Sequence, residues 1–203
     1  MHREIKPLKY TSLEGLSEKQ LKEHHDVLYA GYVKKIGEIE EKLKIVDMST
    51  ANATFSDLRE LKMEETFALN GVKLHEGYFD NMIPNGSPSS FGSSGSARKI
   101  VEMIVRDFGS YENWECEFKA MGISARGWVV LGYDLDEKKL KNILCDSHNQ
   151  GGVWNMIALL IMDVYEHAYF IDYATGRKAY IEACFKNIDW NFVESLISKY
   201  KIE

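Results

Sequence analysis

The sequence has 203 residues, of which 45% are apolar and 28% are charged, the balance of an ordinary globular protein. That length allows a sizeable core, in one large domain or in two small ones. Lysine and arginine number 25 against 31 aspartates and glutamates, which gives a net charge of -6. Because nucleic acids and anionic membranes select basic surfaces, this balance argues against both as partners.

The N-terminal stretch MHREIKPLKYTSLEGL lacks the apolar core of a signal peptide, and no segment approaches the length of a membrane span. The cysteines, Cys116, Cys145 and Cys184, are odd in number and have no metal-ligand spacing. We interpret them as ordinary thiols, which are typical of the reducing cytosol. The sequence therefore predicts a cytoplasmic protein.

Two long helices are predicted in the first half of the chain. Ser17 followed by Gln20 is a capping-box start. One helix face then follows, with side chains three or four positions apart: Leu21, His24, Leu28, Tyr32, Ile36, Ile39 and Leu43. After the polar stretch DMSTANATFSD, a second face contains Leu61, Ala68, Val72, His75 and Phe79. Helices joined by a short connection usually fold back antiparallel, so residues 1–84 are expected to form a helical hairpin domain.

The second half has a different composition. Its first stretch, PNGSPSSFGSSGSAR, lacks the ending of a phosphate-binding loop, so we interpret residues 85–98 as a linker. In the C-terminal domain, residues 99–203, two strands are predicted within 127–148. A buried third strand is predicted within VWNMIALLIMDVY, although periodicity does not separate strand from helix in so short a run. Two amphipathic helices are predicted at 177–187 and 189–200, and this order of elements indicates the α+β class.

Ionisable side chains within the apolar faces indicate a metal site. The midpoint of the chain between His24 and His75 falls within the polar connector, so in an antiparallel hairpin the two residues are expected to lie at similar height and to face each other. Asp163 and His167 interrupt the apolar stretch IMDVYEHAYF, and a buried carboxylate needs a compensating partner. Three imidazoles and one carboxylate are a common ligand set for a first-row transition metal, either zinc or a redox metal. His25 is expected to face solvent, because adjacent helical residues point about 100° apart.

The motifs around these four residues resemble those of the iron/manganese superoxide dismutase family over nearly the whole chain. The most specific is DVYEHAY, which is similar to the family's aspartate-x-x-glutamate-histidine signature. LSEKQLKEHHDVLYAGYV resembles the family's first helix, NGVKLHEGYF its second metal-histidine segment, SARGWVVLGYDL its Gly-Trp strand, and SHNQGG its Asn-Gln turn. The resemblance implies an N-terminal antiparallel helical hairpin plus a C-terminal α/β domain with a small three-stranded antiparallel sheet. The implied metal ligands are His24, His75, Asp163 and His167.

The resemblance also implies roles for residues around the ligands. Tyr32 stands at the position of the gateway tyrosine near the substrate channel, and Trp128 at that of an aromatic pocket residue. Gln150 matches the glutamine that hydrogen-bonds the coordinated solvent in manganese-type members, with His148 as the alternative if the turn is shifted. Gly71 occupies the position of that glutamine in iron-type members. One manganese or iron ion per subunit is therefore implied, with manganese favoured.

Other positions concern a partner subunit or depart from the family pattern. Glu166 matches a glutamate that reaches across a dimer interface to a ligand histidine, so a homodimer or higher homo-oligomer is implied. There, Leu28 and Phe170 replace a hydrogen-bonded histidine and tyrosine, which leaves neither partner unpaired and predicts a drier interface. Three positions that are usually tryptophan hold Tyr165, Phe79 and Val130, of which the first two are implied to line the pocket.

The activity that the resemblance implies is the dismutation of superoxide to dioxygen and hydrogen peroxide by a mononuclear redox metal. One alternative is a catalytically weakened metal-binding protein on the same scaffold, because the surroundings of the ligands are altered. A zinc hydrolase is a second alternative. It needs a free general base near an open ligand position, and no carboxylate is evidently placed for that role.

Overall fold

The computed structural model describes residues 3–86 and 97–202, and its N-terminal half contains the predicted helical hairpin. The cap of the first helix is Ser17, whose Oγ accepts a hydrogen bond of 3.1 Å from the Gln20 backbone N–H. The hairpin consists of α1 (Glu18–Lys22), a π-helical segment (Glu23–Tyr29), α2 (Ala30–Leu43), a 3₁₀ turn (Met48–Thr50) and α3 (Asp57–Asp80). Because α2 packs against α3 and the π-helical segment also contacts α3, the ligand-bearing faces of the hairpin meet each other.

The π-helical segment changes which side chains face the core. A π-helical turn is wider than an α-helical one and shifts the register of the residues that follow. Tyr29 is buried and Leu28 is only half-buried, although the regular helical period predicts the reverse. The prediction that His25 faces solvent is wrong, since this residue is 4% exposed. The N-terminal segment covers it, with the Lys6 carbonyl oxygen 2.8 Å from His25 Nε2, and helical periodicity has no signal for that contact.

The C-terminal half begins with two helices for which no prediction was made, α4 (Arg98–Phe108) and α5 (Tyr111–Ser124). Gly109 ends α4 with a φ of 84°, a conformation that favours glycine. Ser110 then caps α5 by accepting a 3.1 Å hydrogen bond from the Asn113 backbone N–H. Most of the predicted linker, residues 87–96, lies outside the described residues.

The sheet has the three antiparallel strands that were predicted, in the order β2-β1-β3. They are β1 (Trp128–Asp134), β2 (Lys139–Cys145) and β3 (Met156–Asp163). The central strand β1 is buried along its whole length, which explains its nearly continuous apolar sequence. Its register pairs Trp128 with Asp163, so a large aromatic ring lies beside the carboxylate at the end of the sheet.

The chain ends in helices that complete the α+β fold. They are α6 (Phe170–Tyr173), α7 (Arg177–Lys186) and α8 (Trp190–Lys199), and the last two confirm the predicted amphipathic helices to within about one residue at each end. The halves meet where α3 packs on β3. There Asn81 Oδ1 accepts a hydrogen bond of 2.8 Å from the Ile161 backbone N–H. Within residues 3–86 and 97–202, no helix combines the length and the apolarity that crossing a lipid bilayer requires.

Candidate metal centre

The hairpin contributes two histidines that face each other. His24 lies in the π-helical segment and His75 in α3, and their ring centroids are 5.0 Å apart in an edge-to-face arrangement. Both side chains are almost completely buried. His75 Nδ1 lies 2.6 Å from the Gly71 carbonyl oxygen, one helical turn earlier. Because a carbonyl only accepts, Nδ1 carries the hydrogen, and Nε2 directs its lone pair at the cluster.

The sheet and the turn after it contribute the other two groups. Asp163 ends β3 and is fully buried, and its Oδ1 accepts a hydrogen bond of 2.9 Å from the Tyr165 backbone N–H. Its Oδ2 lies 3.1 Å from both His24 Nε2 and His167 Nε2. His167 belongs to a 3₁₀ turn (Glu166–Ala168), and its side chain is 26% exposed. The four predicted side chains thus come together from both halves of the protein.

The polar atoms of this cluster fit a metal ion better than they fit one another. One ligand atom from each of His24, His75, Asp163 and His167 lies within 4.8 Å of all the others. Ligands about 2.1 Å from a single ion lie at most about 4.2 Å apart, so only a small contraction is needed. Over the described ranges, the buried side-chain N and O atoms without a hydrogen-bond partner are His24 Nδ1, His24 Nε2 and His75 Nε2. The 3.1 Å approach of His24 to Asp163 therefore lacks hydrogen-bond geometry, and unpaired buried nitrogens of this kind need an explanation.

The protonation states of His24 and His75 also favour metal binding. Burial lowers the pKa of His75 to about 3 and also lowers the pKa of His24, so both imidazoles are neutral, as metal ligands must be. Burial alone would raise the pKa of Asp163, but its net pKa lies far below the ordinary value, and the charge and hydrogen bond of His167 are the main causes that lower it. Burial alone would lower the pKa of His167, and the charge of Asp163 raises it overall. The cluster therefore contains one anionic ligand.

Aromatic rings pack against the histidines of the cluster. Phe79 packs against His24 at 4.9 Å between ring centroids, and Trp128 against His75 at 4.9 Å. The Tyr165 ring stacks on His167 at 5.1 Å. Each of the three residues predicted to line the pocket thus contacts a different histidine of the cluster.

A hydrogen-bonded chain of three side chains runs beside the cluster. Trp128 Nε1 donates to His148 Nδ1 at 2.9 Å, and His148 Nε2 lies 2.8 Å from the Tyr32 hydroxyl. Gln150, which was predicted to lie near the ligands, is exposed. His148 lies there, between the rings of Trp128 and Tyr165. A side chain at Gly71 would crowd this chain, because a Cβ there would lie 3.1 Å from Tyr32 and 3.2 Å from His148.

Most of the chain, including the four residues of the cluster, is similar in sequence to known proteins. The family described as iron/manganese superoxide dismutases, C-terminal domain, matches residues 96–196. The iron superoxide dismutase of Aquifex aeolicus is 42% identical over 195 residues, which are 95% of this chain and 89% of that protein. The manganese superoxide dismutase of Haloarcula marismortui is 35% identical over 190 residues, 91% of this chain and 87% of that protein. This chain belongs to the iron/manganese superoxide dismutase family.

Membership confirms the family resemblance of the motifs, and relatives named as iron and as manganese enzymes both match. The iron superoxide dismutase of Cupriavidus metallidurans is a further relative, 38% identical over 92% of each chain. Because these relatives cover nearly the whole chain, the family assignment includes the helical hairpin as well as the matched C-terminal domain.

The residues that this superoxide dismutase family member was predicted to present to a partner subunit lie at the surface. Glu166 is exposed, and the Phe170 side chain is 49% exposed despite its apolar ring. Leu28 is half-buried. An apolar ring exposed to this degree beside a ligand-bearing turn is a feature that contact with another chain would cover.

One buried residue that contacts the ligand-bearing turn was not among the predicted site residues. Gln20 is fully buried, and its side chain bonds to the backbone around His167. The available signal was its position four residues before His24, on the same helix face. The sequence interpretation assigned Gln20 only to the capping box at the start of the helix, so it did not predict this contact with His167.

Proposed function

We propose that this protein dismutates superoxide to dioxygen and hydrogen peroxide with one manganese or iron ion per chain. The observation that supports the proposal best is the buried group of three histidines and one aspartate, whose unpaired nitrogens face a common centre. The alternative, a metal-binding protein with weakened catalysis, is not favoured, because the hydrogen-bonded chain beside the ligands is complete and the relatives are named as dismutases.

When bound, the ion supplies one-electron redox chemistry, accepting an electron from one superoxide and giving an electron to the next. His24, His75, Asp163 and His167 would hold it. Because Asp163 is the single anionic ligand, the positive charge at the site is only partly neutralised and attracts an anionic substrate. The rings of Phe79, Trp128 and Tyr165 keep this charge in surroundings of low dielectric constant, where its attraction is strong.

The chain of hydrogen bonds supports a role for Tyr32 as proton donor, which we propose here. Burial lowers the pKa of His148 to about 4, so its ring is neutral near pH 7. Its Nδ1 accepts from Trp128, hence its Nε2 carries the hydrogen and donates to the Tyr32 hydroxyl oxygen. The Tyr32 hydrogen is then left for another acceptor, and burial raises the pKa of this phenol, which keeps it protonated. We therefore assign His148 the task of orienting the donor.

The predicted preference for manganese loses part of its basis in this arrangement. It depended on Gln150 and Gly71, and Gln150 is exposed. Glycine at position 71 has a separate explanation, because Tyr32 and His148 occupy the space that a side chain there would need. We propose that the site accepts either manganese or iron, and that the supply of metal in the cell decides its occupancy.

We further propose a homodimer or higher homo-oligomer in the cytoplasm. Glu166 is exposed on the turn that carries His167, and Phe170 is exposed at the start of the next helix, α6. An interface there would bring a second copy close to the ligand. Leu28 and Phe170 would make that contact apolar. The cytoplasmic assignment is supported by the three cysteines, which are all free, two of them buried.

A superoxide assay on the metal-loaded protein tests the proposed function. The manganese-loaded and iron-loaded forms are compared with the metal-free protein and with the same concentration of each free metal salt. We expect at least one loaded form to remove superoxide faster than its free metal, with metal content near one ion per chain. Rates no higher than those of the free metals, at full occupancy, would reject the enzymatic function and leave only metal binding.

A further inference from the structure

The ligand His167 lies in a segment with little regular structure of its own. We define the ligand segment as residues 165–173, which contain one 3₁₀ turn and the short helix α6. Its internal backbone hydrogen bonds are local, such as Ala168 N–H to the Tyr165 carbonyl at 3.0 Å and Tyr169 N–H to the Glu166 carbonyl at 3.1 Å. Such turns are individually weak, so the position of His167 depends on contacts with the rest of the protein.

Gln20 makes two of these contacts with one side chain. Its Nε2 donates to the His167 carbonyl oxygen at 2.7 Å, and its Oε1 accepts from the Ile171 backbone N–H at 3.0 Å. Only one orientation of the amide satisfies both partners, because a carbonyl accepts and an N–H donates. The side chain is fully buried, where a polar group without partners is costly. Both ends of the amide are thus committed to the ligand segment.

The helix that presents Gln20 also presents a ligand. Gln20 lies four residues before His24, so the two side chains project from the same face of adjacent turns. At the start of this helix, the Ser17 backbone N–H adds a 2.7 Å hydrogen bond to Asp172 Oδ2 in the same ligand segment. The start of α1 therefore binds both ends of the ligand segment, through Ser17 at Asp172 and through Gln20 at the ligand His167.

We propose that Gln20 is a positioning residue that holds His167 in its ligating place relative to His24. It touches neither the metal nor the substrate and acts through the backbone of the ligand segment. This inference rests on the metal binding in the proposed function. It goes further by stating that the protein retains the ion only when the buried Gln20 amide, which is not a ligand, keeps its hydrogen bonds.

Asn187 offers a matched control for Gln20. It too is fully buried, and its Oδ1 accepts from the Glu14 backbone N–H at 3.0 Å while its Nδ2 donates to the Glu14 and Ala183 carbonyl oxygens. These partners belong neither to the ligand segment nor to the cluster. Loss of this amide should destabilise the fold in the same way without loosening a metal ligand.

The test measures release of metal to an excess of chelator from the unmodified protein, Gln20→Met and Asn187→Leu, each loaded with manganese. We expect Gln20→Met to release metal at least about tenfold faster than the unmodified protein, the scale found for partners that orient metal ligands. Asn187→Leu should release metal at close to the unmodified rate. Equal release rates for the Gln20 and Asn187 variants would overturn the proposal.

A measurement on the unmodified protein covers the case in which the variants fail to fold. The amides of Ile171 and Glu14 are each bonded to a buried side-chain amide oxygen at 3.0 Å, so their hydrogen exchange can be compared directly. We expect metal loading to slow exchange at Ile171 at least about tenfold more than at Glu14. Equal slowing would overturn the role of Gln20. If the unmodified protein holds no metal at all, the proposed function fails first, and metal analysis before each experiment separates the two failures.

Discussion

The two halves of the molecule hold their metal ligands by different means. In the hairpin, His24 and His75 belong to long helical segments, and the hydrogen bond from His75 to Gly71 spans a single helical turn. In the C-terminal half, Asp163 lies at the end of a strand and His167 on a short turn. The hairpin ligands are positioned by continuous helical backbone, whereas His167 is positioned by side chains from elsewhere.

This difference between the two halves predicts which ligand leaves the metal first. A ligand on a regular helix moves only if the helix moves, and helices packed in a core open rarely. A ligand on a turn moves when a few tertiary hydrogen bonds break. We therefore expect metal exchange to begin at His167, which is also the most exposed of the four ligands at 26%.

The largest effect is expected from Asp163→Asn, which removes the single anionic ligand from the C-terminal half. Partners that merely orient ligands change metal affinity about 10–100-fold, so loss of this ligand should weaken binding more than about 100-fold. Chelator competition followed by metal analysis measures the change. Asp134→Asn is the control, since Asp134 also ends a strand but accepts hydrogen bonds from the backbone of Asp136 and Glu137. Unchanged affinity in Asp163→Asn would contradict the ligand assignment.

A smaller effect, on rate alone, is expected from Tyr32→Phe on the hairpin side. It removes the proposed proton donor, and general acid catalysis contributes at least about 10²-fold to a rate, while all four ligands remain. Metal content should stay the same while superoxide removal slows by that factor. Tyr78→Phe is the matched control, because the Tyr78 ring lies 5.2 Å from the His24 ring but its hydroxyl contacts Tyr180. A similar loss of rate in both variants would show that Tyr32 has no special role.

The smallest effect concerns His148, which joins Tyr32 of the hairpin to Trp128 of the sheet. Burial lowers its pKa to about 4 in the folded protein, against about 6.5 in the unfolded chain. As the pH falls between these values, only the unfolded chain gains this proton, so the free energy of unfolding decreases. The contribution of His148 is at most about 1.4 kcal/mol per pH unit and ends below pH 4 or so.

Urea unfolding of the metal-free protein across this pH range measures the slope. His148→Gln removes the titrating group, so its stability should fall less steeply with decreasing pH than that of the unmodified protein. Parallel slopes would mean that His148 is protonated equally in both states, contrary to its burial between Trp128 and Tyr32.

Much of the fold was predictable because its signals are local. The hairpin faces, the three strands and the helices α7 and α8 follow from the spacing of apolar residues, which reports which side of an element is buried. The exceptions have physical causes. The π-helical segment shifts the register at Leu28 and Tyr29, and the N-terminal segment covers His25 from outside the helix. Helices α4 and α5 were missed although Gly109 and Ser110 mark their shared boundary.

The sequence by itself placed His24, His75, Asp163 and His167 in apolar surroundings, and the motifs around them determined the family. That information is local, since a charged group within an apolar face must find a partner wherever the chain folds. Only the tertiary structure showed that His148 packs on Tyr32 and Trp128 while Gln150, in the same turn, is exposed. It alone also brought Gln20 to His167, because that contact joins segments far apart in the chain.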